Sequence, residues 1–195
     1  MPLYAIVAIC LAPFVLALLA YYFPSLGLRP GGSTNYGTLI EPQRPMPSAR
    51  ALPLTTLDGK PFNLSTLKGK WILVTADAGA CSESCVRKLF VLRNAHASQG
   101  KNVERLTRIW FVTDQAPIPA DILKAYVGTH IVRADPARLA AFLAPRAGSD
   151  SAGALRGPMW VIDPLGHLMM RFPANADPMS VRGDLSKLLR NSQIG

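Results

Sequence analysis

The sequence predicts a mixed α/β sheet covered by helices on both sides, carried behind a single membrane-spanning segment. Three observations predict it. An almost unbroken apolar run occupies residues 3–23, with no charged side chain before Arg29. From Leu52 onward, short strand-like and helix-like stretches alternate, the pattern of a sheet with helical crossovers. A cysteine pair, Cys81-Ser-Glu-Ser-Cys85, falls where one strand-like run gives way to a helical one.

The apolar run is long enough, at about 1.5 Å per residue, to cross a hydrocarbon core of ~30 Å. Pro13 lies near its centre, which a membrane helix tolerates better than a soluble one. Tyr21, Tyr22 and Phe23 then resemble an interfacial belt. A cleaved signal peptide would bring a basic leader, a shorter apolar core and a small-residue cleavage site. The run has no basic leader and ends in bulky aromatics, so residues 1–23 are read as an uncleaved anchor. Cys10 is read as lipid-facing bulk. Residues 24–51 are rich in proline and glycine and poor in periodic apolar residues, as expected of an extended tether. The folded domain is expected over residues 52–195, long enough to bury one core.

Within that domain, residues 52–64 read as two short strands around an Asp58-Gly59 turn, a strong hairpin signal. Residues 71–76, Trp-Ile-Leu-Val-Thr-Ala, read as a buried strand that leads to the cysteines. Val86, Leu89, Phe90 and Leu92 recur at helical spacing, so a helix is expected from Cys85 to about Ser98. A strand follows at residues 106–113, then a short helix at 120–127 stopped by Gly128, and a strand at 131–134. Asp135-Pro136 places a capping carboxylate before a proline at the first helical position, opening a helix that ends before Pro145. Residues 159–163 and 167–172 form a second hairpin around Pro164-Leu-Gly166. Asp177-Pro178 repeats the cap before a closing helix with Val181, Leu185, Leu188 and Leu189 on one face.

The chain of 195 residues carries a formal charge of +9. Its basic residues are scattered from Arg29 to Arg190, with no run longer than Arg87-Lys88, which argues against nucleic acid as a partner. A dispersed basic surface behind a membrane anchor suits anionic headgroups or an acidic protein instead.

Cys81 and Cys85 are two of only three cysteines. Thiols at this spacing suit two chemistries, a redox disulfide or a soft metal such as Cu(I). Residues four apart on a regular helix have Cβ atoms about 5–6 Å apart, more than a disulfide accepts, so Cys81 must lie just outside the helix if the pair is to bond. At that position it meets the unpaired N–H groups and positive dipole end of the helix, which favour thiolate. Arg87 and Lys88 push the same way and Glu83 opposes them. No histidine is well placed to join the pair. His96 falls about 16 Å further along the helix, and His130 and His167 are expected at other positions on the sheet. Met159 is the methionine expected near the cysteines, and a four-ligand zinc site has too few donors.

The stretch from Leu57 to Trp71, followed by a strand and a cysteine motif, resembles the opening of thioredoxin-like redoxins. The CxxxC spacing looks most like the Sco/SenC family of copper-site assembly factors for cytochrome c oxidase, which also have one N-terminal anchor. The resemblance spans residues 52–190. It implies a thioredoxin-like domain that serves oxidase copper-site assembly by thiol-disulfide exchange, by transient Cu(I) binding, or by both. Cys81 and Cys85 would be the redox and Cu(I)-binding residues, and the partner a thiol-bearing protein such as a copper-site oxidase subunit. It also implies a bacterial inner-membrane location, single-pass, with the domain facing the periplasm. The family's ligand histidine is missing, because the equivalent stretch here is Ala154-Leu-Arg-Gly-Pro158. Arg156-Gly157-Pro158 instead resembles the redoxin segment whose cis-proline lies against the cysteines, so Pro158 is a third candidate site residue with a cis bond expected before it. This shifts the expectation from a three-ligand copper carrier toward a thiol-disulfide oxidoreductase. A peroxiredoxin is disfavoured because Ala78 stands where that family has a hydroxyl. A general periplasmic thiol-disulfide reductase and a non-catalytic redoxin-fold docking module are the alternatives.

Overall fold

The computed structural model describes residues 2–23, 34–144 and 150–195. The chain divides into two units, Met1–Thr34 and Asn35–Gly195. In the first, helix α1 (Pro2–Tyr22) has Pro13 inside it and is uniformly apolar. Residues 3–22 are long and apolar enough to cross a membrane once, and none of that span is buried.

Among its described residues the second unit holds eight strands: β1 (Thr38–Pro45), β2 (Leu54–Thr56), β3 (Pro61–Phe62), β4 (Trp71–Asp77), β5 (Leu106–Val112), β6 (His130–Ala134), β7 (Met159–Ile162) and β8 (His167–Phe172). They form one sheet in the order β1-β8-β7-β4-β5-β6-β2-β3. The centre, β4-β5-β6, is parallel, and β7 runs antiparallel to β4. Every residue of β4 is buried, as a central strand covered on both faces requires.

Among the described residues, five helices cover the sheet: α2 (Glu83–Ala97), α3 (Ala120–Ala125), α4 (Pro136–Leu143), α5 (Ser151–Arg156) and α6 (Pro178–Asn191). Strand alternation splits the core in two. Trp71 and Leu73 of β4 meet Leu89 and Leu92 of α2 and Leu185 and Leu189 of α6 on one face. Ile72, Val74 and Ala76 meet Leu139 and Leu143 of α4 and Leu155 of α5 on the other. Each such fully buried leucine stabilises the fold by about 1.5–3 kcal/mol before entropy is subtracted. The predicted caps are in place, with Asp135 accepting from the Arg138 N–H and Asp177 from the Ser180 N–H.

The structure corrects the tether boundary. Residues 24–51 were read as one extended segment, yet β1 lies within them and pairs antiparallel with β8. Its prolines, Pro42 and Pro45, are tolerated because β1 is an edge strand, where missing N–H donors leave no ladder bond unmade. Arg44 of β1 also donates to the carbonyls of Phe142 and Leu143, closing the end of α4. The earlier part of the expected tether, residues 24–33, lies outside the described residues, as does Pro145, the expected stop for α4. Helix α5 was not anticipated. Asp150 caps it, accepting from the Gly153 N–H.

Candidate thiol site

Cys81 and Cys85 are joined by a disulfide with Cα atoms 5.1 Å apart. The geometry that bonding demands is present. Helix α2 starts at Glu83 with Ser82 as its cap, so Cys85 is helical and Cys81 is outside. Cys81 has φ of 44°, in the left-handed region, which a residue with a Cβ adopts only when its surroundings impose it. Cys81 is 7% exposed and Cys85 1%, so both residues are buried, Cys85 the more completely.

The loop that carries Cys81 is clasped from the side. The Gly79 N–H donates to Asp114 Oδ1 at 2.8 Å, and the Ala116 N–H to the same oxygen at 3.2 Å. Arg133 of β6 donates to the carbonyls of Asp114 and Ala116, holding the far side of the clasp. No side chain fits at residue 79, where a Cβ would lie 2.4 Å from the Ala116 carbonyl oxygen.

Three residues after Cys85, Lys88 turns inward rather than toward solvent. Its Nζ lies 2.8 Å from Asp77 Oδ2, while its directed hydrogen bonds go to the Ala76 carbonyl at 2.9 Å and to the Arg156 carbonyl. Asp77 Oδ1 accepts from the Ala78 N–H. Burial pushes the Lys88 pKa below the usual lysine range, and the Asp77 carboxylate pulls it back up. The sequence reading placed Lys88 beside Arg87 as a charge acting on the thiols. Arg87 does stay on the surface, paired with Glu83 at 2.9 Å, but Lys88 brackets β4, α2 and the end of α5.

Pro158 is buried at the start of β7. Thr75 of β4 pairs with Met159, so Gly157-Pro158 reaches the carboxyl end of β4, where the cysteine loop begins. The expected cis bond is not there. Among the described residues the cis peptide is Glu41–Pro42, and Gly157–Pro158 is trans. The trans segment fits a close approach on its other side, where a Cβ on Gly157 would lie 2.8 Å from that of Ala174.

Met159 belongs to the same buried cluster as both cysteines. The histidines do not. His96 Nε2 bonds to the Leu106 carbonyl near the end of α2, His130 stands against Phe62, and His167 begins β8 at the opposite end of the sheet from the disulfide. No group of three His, Cys, Asp or Glu side chains among the described residues is arranged to hold a metal.

A parallel strand-helix-strand unit with a cysteine pair at the helix start, completed by an antiparallel hairpin and a closing helix, defines a thioredoxin-like protein. The family described as transmembrane-like, thioredoxin-like, C-terminal domain matches residues 71–192, and the chain belongs to it. No curated protein matches the chain. Among solved structures, copper-bound ScoI of Arabidopsis thaliana superposes with a TM-score of 0.55 at 15% identity, over 77% of this chain and 99% of that one. Copper-bound yeast Sco1 gives 0.54 at 18% identity, over 78% and 96%. Apo Sco1 of Thermus thermophilus gives 0.54 at 19%, over 82% and 98%. At these identities the likeness is one of fold.

Proposed function

We propose that this protein is a membrane-anchored thiol-disulfide exchange factor whose working residues are Cys81 and Cys85, serving a thiol-bearing partner such as the copper-site subunit of a haem-copper oxidase. The observation that carries the reading is the disulfide itself, with the less buried cysteine outside helix α2 and the more buried one inside its first turn. A partner thiolate attacks Cys81 Sγ, the Cys81–Cys85 bond breaks, and Cys85 leaves as thiolate. The partner's second thiolate then attacks the mixed disulfide and expels Cys81 as thiolate. Two electrons have passed to this protein and the partner holds the new disulfide. The helix N-terminus stabilises the thiolate released at each stage. The reverse sequence reduces a partner disulfide.

Pro158 is assigned a positioning role, holding the start of β7 under the cysteine loop. Copper enters this reading as cargo. The copper-bound Sco structures share the fold, and the two reduced sulfurs here supply a two-coordinate resting place for Cu(I) rather than a tight store. An inner-membrane location with the domain in the periplasm agrees with a working disulfide, which oxidising compartments maintain.

The test is mechanism-based trapping combined with metal titration. Cys85→Ser leaves Cys81 without its resolving thiol and is expected to accumulate a mixed disulfide with the partner. Wild type, once reduced, is expected to bind Cu(I) more weakly than a three-ligand site and to lose that binding in either serine variant. Failure to trap any partner, together with no Cu(I) uptake, overturns the reading.

A further inference from the structure

Arg108 is a charged residue in the middle of a buried strand. It lies on β5 and is 7% exposed. Strand alternation puts it on the same face as Leu106 and Trp110, the face that α2 covers. A guanidinium in such a place is costly unless it is paired and its N–H donors are satisfied. Neither condition is met among the described residues. The ion pairs lie elsewhere. Nη2 donates to the Val127 carbonyl at 3.3 Å, and Nε is buried without a partner.

The neighbours add positive charge rather than remove it. Arg93 of α2 places its guanidinium 5.9 Å from the centre of the Tyr126 ring and donates to the Ala125 carbonyl at 3.0 Å. Burial and the Arg93 charge push the Arg108 pKa below the usual arginine range. Arg108 in turn adds to burial in lowering the pKa of His96.

A second orphan stands beside the first. Ile109 pairs with His130, so Arg108 and Thr129, one position earlier on each strand, are neighbours. Thr129 Oγ1 is also buried and unpartnered. The two polar groups are not bonded to each other, as groups that share a third partner would be. Exposed Gly128 lies next to them with φ of 82°, in the turn that the Thr129 N–H closes onto the Tyr126 carbonyl. A Cβ there would lie 3.1 Å from Arg108 Nη2, so a side chain would crowd the guanidinium edge that glycine leaves open.

Helix capping explains part of this arrangement, since both arginines serve carbonyls at or just after the end of α3. Carbonyl dipoles do not offset two full charges, and capping leaves Arg108 Nε and Thr129 Oγ1 unused.

We infer that Arg108, Thr129 and Arg93 form a binding site for a small oxyanion of the phosphate type. A planar guanidinium fork matches two oxygens of such a group, the threonine hydroxyl donates to a third, and the second arginine supplies the remaining charge. The site stands apart from the disulfide. Arg108 registers with Leu73, four residues before the Asp77 that ends β4, a distance of about 13 Å along the strand. The inference does not depend on the exchange reading.

The experiment titrates the full chain in detergent micelles with inorganic phosphate at constant ionic strength, chloride being the balancing anion. Calorimetry and the thermal midpoint read binding. Saturable uptake and a rising midpoint are expected with phosphate and not with chloride or acetate. A parallel titration with glycerol phosphate separates the two sources of the group: equal affinity assigns the site to phosphoryl groups on organic molecules, and weaker affinity assigns it to the free anion. Thr129→Val and Arg93→Gln are each expected to weaken phosphate roughly tenfold, the loss of one charge-assisted hydrogen bond or charge. Arg108→Met is expected to abolish the phosphate response while leaving the midpoint in phosphate-free buffer unchanged or higher, because an unpaired buried charge has gone. Binding no tighter than that of chloride or acetate overturns the inference, as does undiminished binding in Thr129→Val and Arg93→Gln. A lower midpoint for Arg108→Met in both buffers, with no phosphate response in the native chain, assigns the arginine to capping alone.

Discussion

Lys88 Nζ lies 2.8 Å from Asp77 Oδ2, and the two side chains are 9% and 5% exposed. The pair joins the end of β4 to the second turn of α2. Removing one partner strands the other charge in a site with little water, which costs about 3–5 kcal/mol, whereas replacing both with apolar groups is often neutral. Lys88→Met is therefore expected to lower the unfolding free energy by about 3–5 kcal/mol, and Lys88→Met with Asp77→Leu to recover most of it. Denaturant unfolding of the oxidised chain measures both. A single variant costing less than about 1 kcal/mol contradicts a buried ionic bracket.

Two glycines make opposite predictions. Gly79→Ala sets a Cβ 2.4 Å from a backbone oxygen of the neighbouring loop, which cannot swing aside as a side chain would. The expected loss is about 1–3 kcal/mol, the usual range for overpacking, together with slower exchange because the Cys81 loop is displaced. Gly183 sits inside α6 with nothing within 4 Å of its missing Cβ. Gly183→Ala is expected to stabilise by up to about 1 kcal/mol through helix propensity alone. Thermal unfolding of the two variants side by side checks the sign of each.

Most of the strand and helix order was legible in the sequence, because Asp135-Pro136, Asp177-Pro178, Asp58-Gly59 and the apolar run at residues 71–76 each bring a local mechanism. The CxxxC geometry was legible too, since bonding at that spacing requires Cys81 to leave the helix. Strand β1 was not. Its sequence, Thr-Leu-Ile-Glu-Pro-Gln-Arg-Pro, looks like tether, and only pairing with the distant β8 makes it a strand. Lys88 was misplaced for a similar reason. It follows Cys85 by three positions and precedes Leu92 by four, so it falls on the buried face of α2, a signal that its charge obscured. The bond before Pro158 was assigned by resemblance to redoxins, and the local contact with Ala174 is met in trans.

His96 gives a pH dependence with a definite sign. Burial and the nearby Arg108 hold its pKa below the ordinary 6.5, with the hydrogen bond to Leu106 opposing them. The unfolded chain therefore takes up the proton more readily than the folded one. This histidine's share of stability is complete above 6.5 and falls as the pH drops below it, levelling off once the folded form also protonates. His96→Gln is expected to flatten the stability profile between neutral and mildly acid pH. Denaturant midpoints across that interval test it, and an unchanged slope in the variant removes His96 as the cause.

The two cysteines are expected to differ in a way that exposure alone sets. Cys81 is the less buried residue and precedes the Ser82 cap, while Cys85 lies within the first turn of α2. In the reduced chain, alkylation is expected to modify Cys81 at least tenfold faster than Cys85. Peptide mapping after timed exposure to iodoacetamide reads the two rates. Denaturation should equalise the two rates, because the difference belongs to the fold and not to the sequence around each thiol. Equal rates in the native chain contradict the assignment of Cys81 as the sulfur that bonds to the partner, and faster labelling of Cys85 reverses it.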